Sequence, residues 1–385
     1  MSKIGELISE LCPDGVEFVI LSDVCDFLNG KAHEGDIDNN GHYIIVNSKF
    51  ISTNGDIKKF TNKQICPIFK ENILMVMSDL PNGRALGKCF IVDEDDVYTL
   101  NQRICALSVK NSSEVNFKFL YYILNRNKQL LKYDNGVDQT NLKRDQILNI
   151  TIPLPPIEVQ REIVRILDNF TELTAKLTAE LQKRKEQYRH YSTVLFDDAK
   201  KSGVHSIEEV CHIEKGKTPI QKAIPGGYPM VVTTTERKSC DTYQFDAKAV
   251  CVPLVSSRGH GVASLNHVYY QEGKFALGNI LCAMIPKNEE QVYPKYLYYY
   301  FEQTKDYTLV PLMKGGANVA LHMNDVKKVK VPIPSLEEQK RIVKILDRFD
   351  TLCNDISTGL PAEIEARTKQ YEYYRDKLLT FKELS

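Results

Sequence analysis

A sixteen-residue phrase occurs twice in this chain, and its repetition limits the folds open to the sequence. Pro153-Leu154-Pro155-Pro156-Ile157-Glu158-Val159-Gln160-Arg161-Glu162-Ile163-Val164-Arg165-Ile166-Leu167-Asp168 returns 179 positions later as Pro332-Ile333-Pro334-Ser335-Leu336-Glu337-Glu338-Gln339-Lys340-Arg341-Ile342-Val343-Lys344-Ile345-Leu346-Asp347. A Pro-x-Pro pair cannot continue a helix or a central strand, and the Glu and Gln that follow suit the first turn of a helix. Each copy therefore reads as a strand end, a hard stop and a helix start. In 385 residues, two such junctions imply two halves of one plan.

The stretches before each junction repeat as well. Val24-Cys25 and the turn Gly30-Lys31 match Val210-Cys211 and Gly216-Lys217; Lys118-Phe119-Leu120-Tyr121-Tyr122 matches Lys295-Tyr296-Leu297-Tyr298-Tyr299; Cys105-Ala106 matches Cys282-Ala283; Asn141-Leu142 sits where Ala320-Leu321 does. Alternation and apolar runs predict strands at Tyr43 to Val46, Ile73 to Met77, Cys89 to Val92, Ile104 to Val109 and Ile147 to Leu154, and a helix from Phe117 to about Leu131. Lys3 to Leu11 predicts a short amphipathic helix that needs a partner. Between the shared apolar anchors the halves diverge, most clearly where Met77 to Lys88 faces Val255 to Leu265.

After each junction the apolar residues step by alternating three and four, the spacing of a coiled-coil seam. In the first copy the seam runs through Ile163, Leu167, Phe170, Thr174, Leu177, Leu181, Arg184, Tyr188, Tyr191 and Leu195. In the second it runs through Ile342, Leu346, Phe349, Cys353, Ile356, Leu360, Ile364, Arg367, Tyr371, Tyr374 and Leu378. Gln187-Tyr188 and Gln370-Tyr371 lie 183 apart, so the second arm carries one extra four-residue step, a stutter whose surplus includes Gly359 and Pro361 and predicts a kink. A lone helix with this seam would expose an apolar stripe; the two copies cover each other most simply as an antiparallel pair. An arm from Ile157 to about Phe196 would span about 60 Å.

Composition narrows the function. Fifty basic residues balance fifty acidic ones, so a polyanion would have to be met by local patches. No apolar run reaches the length of a membrane span, and the amino terminus does not lead into a signal-peptide core, which predicts a cytoplasmic protein without membrane partners. The ten cysteines show no metal-ligand spacing and read as small core residues in a reducing compartment. No histidine pair, phosphate loop, nucleophile elbow or Asn-Pro-Pro-aromatic tetrapeptide is present, so no catalytic or metal residue is assigned and the chain is expected not to be an enzyme.

Binding remains. The divergent loops combine cations with amides and hydroxyls, the groups that grip phosphates and read base edges. In the first half the candidates are Ser48 and Lys49, in the tripeptide Asn47-Ser48-Lys49; Asn82 and Arg84, with Lys88; Gln102 and Arg103, in the tripeptide Asn101-Gln102-Arg103; and Gln139 and Asn141. In the second they are Thr234, Arg237 and Lys238; Ser257, Arg258 and His260; and Lys314, Asn318 and His322. Any one such loop is also consistent with a solvated turn; the case rests on their matching places in both halves. Tyr121, Tyr122, Tyr298, Tyr299 and Tyr300 could stack on bases, but on a helix at a repeated position core is the favoured reading. The basic run Lys183 to Arg189 reads as a solvated flank.

The doubled pattern Ile-Pro-Leu-Pro-Pro-Ile-Glu-x-Gln-x-x-Ile-Val-x-Ile-Leu-Asp after a variable domain resembles the specificity subunit of type I restriction-modification enzymes over essentially the whole chain. The resemblance implies an α/β (α+β) fold with two globular target-recognition domains, a long antiparallel two-helix coiled coil and an internal pseudo-twofold repeat. It implies an amino-terminal helix (1–15), a first recognition domain (16–152), a central arm (153–203), a second recognition domain (204–331) and a carboxyl-terminal arm (332–385). Each domain would read half of a bipartite site in double-stranded DNA, and the arms would set the half-site spacing and dock two methyltransferase subunits. S-adenosylmethionine, ATP and Mg would belong to those subunits and to the restriction motor, with no cofactor on this chain. A recognition subunit of another restriction class, an orphan methyltransferase guide and a coiled-coil scaffold that binds no DNA are the alternatives.

Overall fold

The structure is a computed structural model that describes residues 3–32, 35–80, 83–259, 261–355 and 357–384. Three residues singled out above, Asn82, His260 and Ile356, lie outside the described residues. The chain divides into two units, Met1–Ala175 with Ala366–Ser385, and Lys176–Glu365.

In the first unit the main sheet is antiparallel, in the order Cys25–Asn29, Ile104–Val109, Ile73–Val76, Cys89–Ile91. Its inner strands are apolar without alternation, Ile104 to Leu107 and Ile73 to Val76 all being buried, because both faces of the sheet are covered. A second, mixed sheet has the order Phe60–Thr61, Tyr43–Val46, Tyr98–Leu100, with the last two parallel. Glu17–Ile20 pairs with Thr151–Leu154, which places Pro153 opposite Phe18. Pro153 is tolerated there because this is a two-stranded ribbon, not a central strand. The helix Lys3–Leu11 rests Ile4, Leu7 and Ile8 on the core that holds Ile163 and Leu167, and Lys3 reaches Glu162 at 3.3 Å. The carboxyl-terminal segment joins the same unit, where Val16 pairs with Glu383 and donates to the Lys382 carbonyl at 2.9 Å.

The second unit repeats the plan. Its main sheet runs Cys211–Lys215, Leu281–Pro286, Ala249–Pro253, Tyr269–Gln271, all antiparallel. Its mixed sheet runs Lys238–Cys240, Tyr228–Val231, Lys274–Leu277, Phe245–Asp246, with the middle two strands parallel. Val204–Ser206 pairs with Lys330–Pro332 as the ribbon before the second junction. The repeated Gly-Lys turns have one steric cause. A Cβ on Gly30 would lie 2.0 Å from the Asn101 carbonyl oxygen, and one on Gly216 would lie 2.1 Å from that of Gly278.

Four sequence expectations change. The helix from Phe117 stops at Leu124; Arg126 takes φ +61°, its N–H bonds the Gly87 carbonyl, and a separate turn of helix covers Lys128–Leu131. The strand expected from Ile147 begins only at Thr151, because Arg144–Leu148 is a short helix that buries Ile147. The central helix runs from Ile157 to Ala199, one turn beyond Phe196. The second arm is two helices, Leu336–Asn354 and Leu360–Leu378, not one kinked rod. Asp355 ends the first of these, its carboxylate accepting from the N–H and hydroxyl groups of both Ser357 and Thr358.

The seam is observed within each unit. In the second, Tyr188 and Tyr191 pack on Phe349, and Phe196 shares a core with Ile342, Val343 and Leu346, so the two helices run antiparallel. In the first, Phe170 stacks on Tyr374 at 5.4 Å between ring centroids, and Tyr371 and Leu378 pack on the core of Ile163 and Leu167. Leu177, Leu181, Leu195 and Ile364 are half-buried, as a two-helix seam leaves them. Near its end the seam moves by one residue: Tyr191 is 49% exposed, whereas Ser192 is 1% exposed.

Candidate nucleic-acid interface

Each globular domain is held to the helix that follows it by the repeated phrase. The Gln160 side chain, fully buried, accepts from the Asn116 N–H and donates to the carbonyls of Glu114 and Pro155, each at 2.8 Å. Gln339, also fully buried, does the same with the Tyr293 N–H at 2.8 Å and the carbonyls of Gln291 at 2.9 Å and Pro334 at 2.8 Å. The closing aspartates add a second tie. Asp168 receives Lys118 and the Tyr122 hydroxyl, both at 2.6 Å, and Asp347 receives Lys295 at 2.8 Å and the Tyr299 hydroxyl at 2.5 Å. The tyrosines of both helices are thus framework. Burial, joined at Tyr122 and Tyr299 by these aspartates, pushes their phenols above the ordinary range.

In the first domain the candidate loops converge. A cleft of about 340 Å³ is lined by Asn47, Ser48, Lys49, Lys59, Asn101 and Arg103, together with Ile37 and Ile45. The strand Ser78–Asp79 stands at the crossing of several segments. The Ser48 hydroxyl donates to the Ser78 carbonyl at 3.5 Å, Gln139 donates to the Ser78 hydroxyl at 2.7 Å, and Thr140–Asn141 pairs with this strand. Met77, just before it, bonds the Arg103 carbonyl at 2.9 Å. The Asp79 carboxylate accepts from Leu80, Ala85 and Leu86 N–H groups, fixing the loop that carries exposed Arg84. Lys88 is tied inward: its ammonium donates to the Ser52 carbonyl at 2.9 Å, and burial with the neighbouring Arg126 charge lowers its pKa. Gln102 is exposed beside the cleft.

The second domain brings together only part of its set. Ser256 donates its N–H to the Val319 carbonyl at 3.0 Å, Val255 bridges Ala320, and Lys314 bridges Ala320, so the loop bearing Ser257 and Arg258 lies against the one bearing Lys314 and Asn318. Exposed His322 caps the short helix Met323–Lys327, and Lys314 approaches Asp325 at 3.5 Å. The loop of Thr234 and Lys238 is instead anchored to the strand Tyr269–Gln271 through Arg237. That guanidinium donates to the Gln271 side chain at 3.0 Å and to the Tyr270 and Thr235 carbonyls at 3.2 Å, and lies 5.2 Å from the Tyr269 ring centroid. Arg237 is therefore a tether.

Asn47 and Asn101, which open two of the candidate tripeptides, line the first cleft as expected. Lys59 also lines it and was not among the candidates, because it precedes a two-residue strand that carries no sequence signal of its own.

The model of the type I restriction modification DNA specificity domain matches this sequence twice, over residues 13–185 and 200–366. The chain belongs to that family. It is 35% identical over 339 residues to the Type I restriction enzyme EcoR124I/EcoR124II specificity subunit of Escherichia coli, an alignment covering 77% of this chain and 81% of that one. Its fold is similar to that of the type I restriction-modification system S subunit from M. genitalium, with a TM-score of 0.58 at 18% identity over 95% of this chain and 96% of that one. A chain from a structure of complex assembly and conformational transition of the type I R-M system gives a TM-score of 0.57 at 18% identity, over 95% and 98%. As a type I specificity-domain protein, the chain carries two recognition domains on one framework. Among its described residues no helix is long and apolar enough to cross a membrane.

Proposed function

We propose that this chain is the DNA-specificity subunit of a type I restriction-modification system, each recognition domain reading half of a bipartite target. The observation that carries this reading is the contrast between framework and loops. The same two sheets, ribbon and junction ties occur twice, while the exposed side chains around Ser48, Arg103 and Asn141 differ from those around Ser257, Lys314 and Asn318. A scaffold built only to join proteins would have no use for two different polar surfaces at matched positions. The arms act as the spacer between the two readings and as the dock for methyltransferase subunits. Those partners supply S-adenosylmethionine and the methyl transfer, and the motor subunit supplies ATP- and Mg-dependent steps; this chain contributes recognition.

The test is to map methylated adenines in cells that express the methyltransferase subunits with and without this chain. The expected result is one bipartite motif with a fixed gap, present only with the chain. Unmethylated DNA in both cases, with the assembled complex present, overturns the reading.

A further inference from the structure

The two domains share backbone bonds at matched places of their sheets, which shows what differs there. Asn101 donates its N–H to Val46 and accepts from Ile104, as Gly278 does with Val231 and Leu281; the Arg103 carbonyl accepts from Met77, as the Ile280 carbonyl accepts from Leu254. On that frame Asn101 and Arg103 of the first domain stand where Gly278 and Ile280 stand in the second, and Lys49 stands where Thr234 does. Ile280 packs on the apolar core of its own domain. The basic cleft thus belongs to the first domain.

Among the described residues its cations have no partner to hold. The guanidinium of Arg103 and the ammonium groups of Lys49 and Lys59 have no hydrogen-bond or ion-pair partner among the described residues, in contrast to the fully engaged Arg237. Arg103 is nonetheless held at its base: its N–H bonds the Asn101 side-chain oxygen at 3.3 Å and its carbonyl receives Met77 at 2.9 Å. Asn101 itself is 9% exposed, lines the cleft, and its side-chain NH2 has no partner among the described residues. A planar fork on a fixed turn is the group suited to a bidentate base contact, whereas flexible lysines hold phosphates as point charges.

Resting on the function proposed above, we infer that Arg103 is a specificity-determining residue that reads one guanine through O6 and N7 in the half-site of the first domain, while Lys49 and Lys59 hold flanking phosphates. The second domain, with Ile280 at this place, reads its half-site without an equivalent contact.

The test measures binding of the complex with its methyltransferase subunits to duplexes in which each base pair of both half-sites is replaced in turn, over a range of salt. Arg103→Ala is expected to lose roughly 5- to 150-fold discrimination at one G·C pair of one half-site. Every position of the other half-site keeps its wild-type preference, which also shows that the variant is folded. The double variant Lys49→Ala with Lys59→Ala should weaken binding to all duplexes alike and reduce the salt slope by about two. Wild-type discrimination at every pair in Arg103→Ala would make Arg103 a phosphate contact and overturn the inference, leaving the proposed function intact. A wild-type complex with no bipartite preference would overturn the proposed function itself.

Discussion

Replacing Gln160 by alanine should loosen the first recognition domain from its arm and leave the second unaffected; Gln339→Ala should do the reverse. Each side chain makes three hydrogen bonds near 2.8 Å from a fully buried position, one accepted from an amide and two donated to carbonyls. Truncation strands one N–H and two C=O groups, each worth about 1–3 kcal/mol when buried without a partner. Two of the three partners are only partly buried and can turn to water, so the net cost is about 3 kcal/mol rather than the full sum. At Asn116 the damage extends further, because its side chain caps the helix Phe117–Leu124 by accepting from Lys118 and Phe119. The assay is residue-resolved amide hydrogen exchange under native conditions. The Asn116 amide should exchange on the order of a hundredfold faster in Gln160→Ala, with the Tyr293 amide unchanged. Gln160→Met separates the effects: it refills most of the volume but restores no hydrogen bond, so it should behave like alanine. Exchange at Asn116 within about threefold of wild type in both variants would refute this account of the repeated glutamine.

Three further outcomes follow from the same contacts. The guanidinium of Arg165, together with Lys3, holds the Glu162 carboxyl at about 2 against an ordinary 4.5. A depressed carboxylate contributes stability above its unfolded value that is lost as pH falls through its folded one, so the wild-type advantage over Glu162→Gln in urea midpoint should be full at pH 7 and shrink between about 4.5 and about 2; a difference independent of pH would contradict this. All ten cysteines are buried, and burial pushes the thiols of Cys25 and Cys211 up to about 12. A thiol reagent at pH 8 should therefore label the native chain slowly and all ten sites after denaturation, and rapid native labelling at either residue would count against the packing. Deleting one heptad from each arm, residues 172–178 and 364–370, removes ~10.5 Å of helix, equivalent to about three base pairs; the gap in the methylated motif should shorten accordingly, and an unchanged gap would dispose of the spacer role.

Much of the framework was legible because it rests on local rules applied twice. The Pro-x-Pro stops, the run Ile104–Val109 and the helix Lys3–Leu11 follow from backbone chemistry and apolar patterning alone. Where the helix from Phe117 ended early, a long-range partner decided the local state. Nothing in the sequence near Arg126 demands a left-handed residue; the demand comes from the Gly87 carbonyl, far away in the chain. The stutter located the irregularity in the second arm, but a turn capped by Asp355, Ser357 and Thr358 replaced the kink, since those hydroxyls satisfy the carboxylate better than a bent helix would. The candidate site behaved likewise. Lys49 and Arg103 were visible as residue types, yet Arg237 looked equivalent, and what separates them is that Gln271 and Tyr270, 34 and 33 residues away, occupy one guanidinium and no described residue occupies the other.

The placement of the junction ties explains how one framework can serve two different readings. Among the described residues, Gln160 and Asp168 grip Glu114, Pro155, Asn116, Lys118 and Tyr122, that is, the junction itself and the helix that opens at Phe117, and Gln339 and Asp347 grip the corresponding set around Tyr293 to Tyr299. None of these groups lies on the segments that carry Lys49, Arg103 and Asn141, or Arg258 and Lys314. Those loops are fixed instead by backbone bonds, Asn101 to Val46 and Met77 to Arg103 in one domain, Gly278 to Val231 and Leu254 to Ile280 in the other. Backbone bonds do not depend on the side chain, which is why an arginine and an isoleucine can occupy the same place on the same frame. Side chains at the loops are therefore free to change the reading, and the side chains at the junction are the ones whose loss releases the domain from its arm.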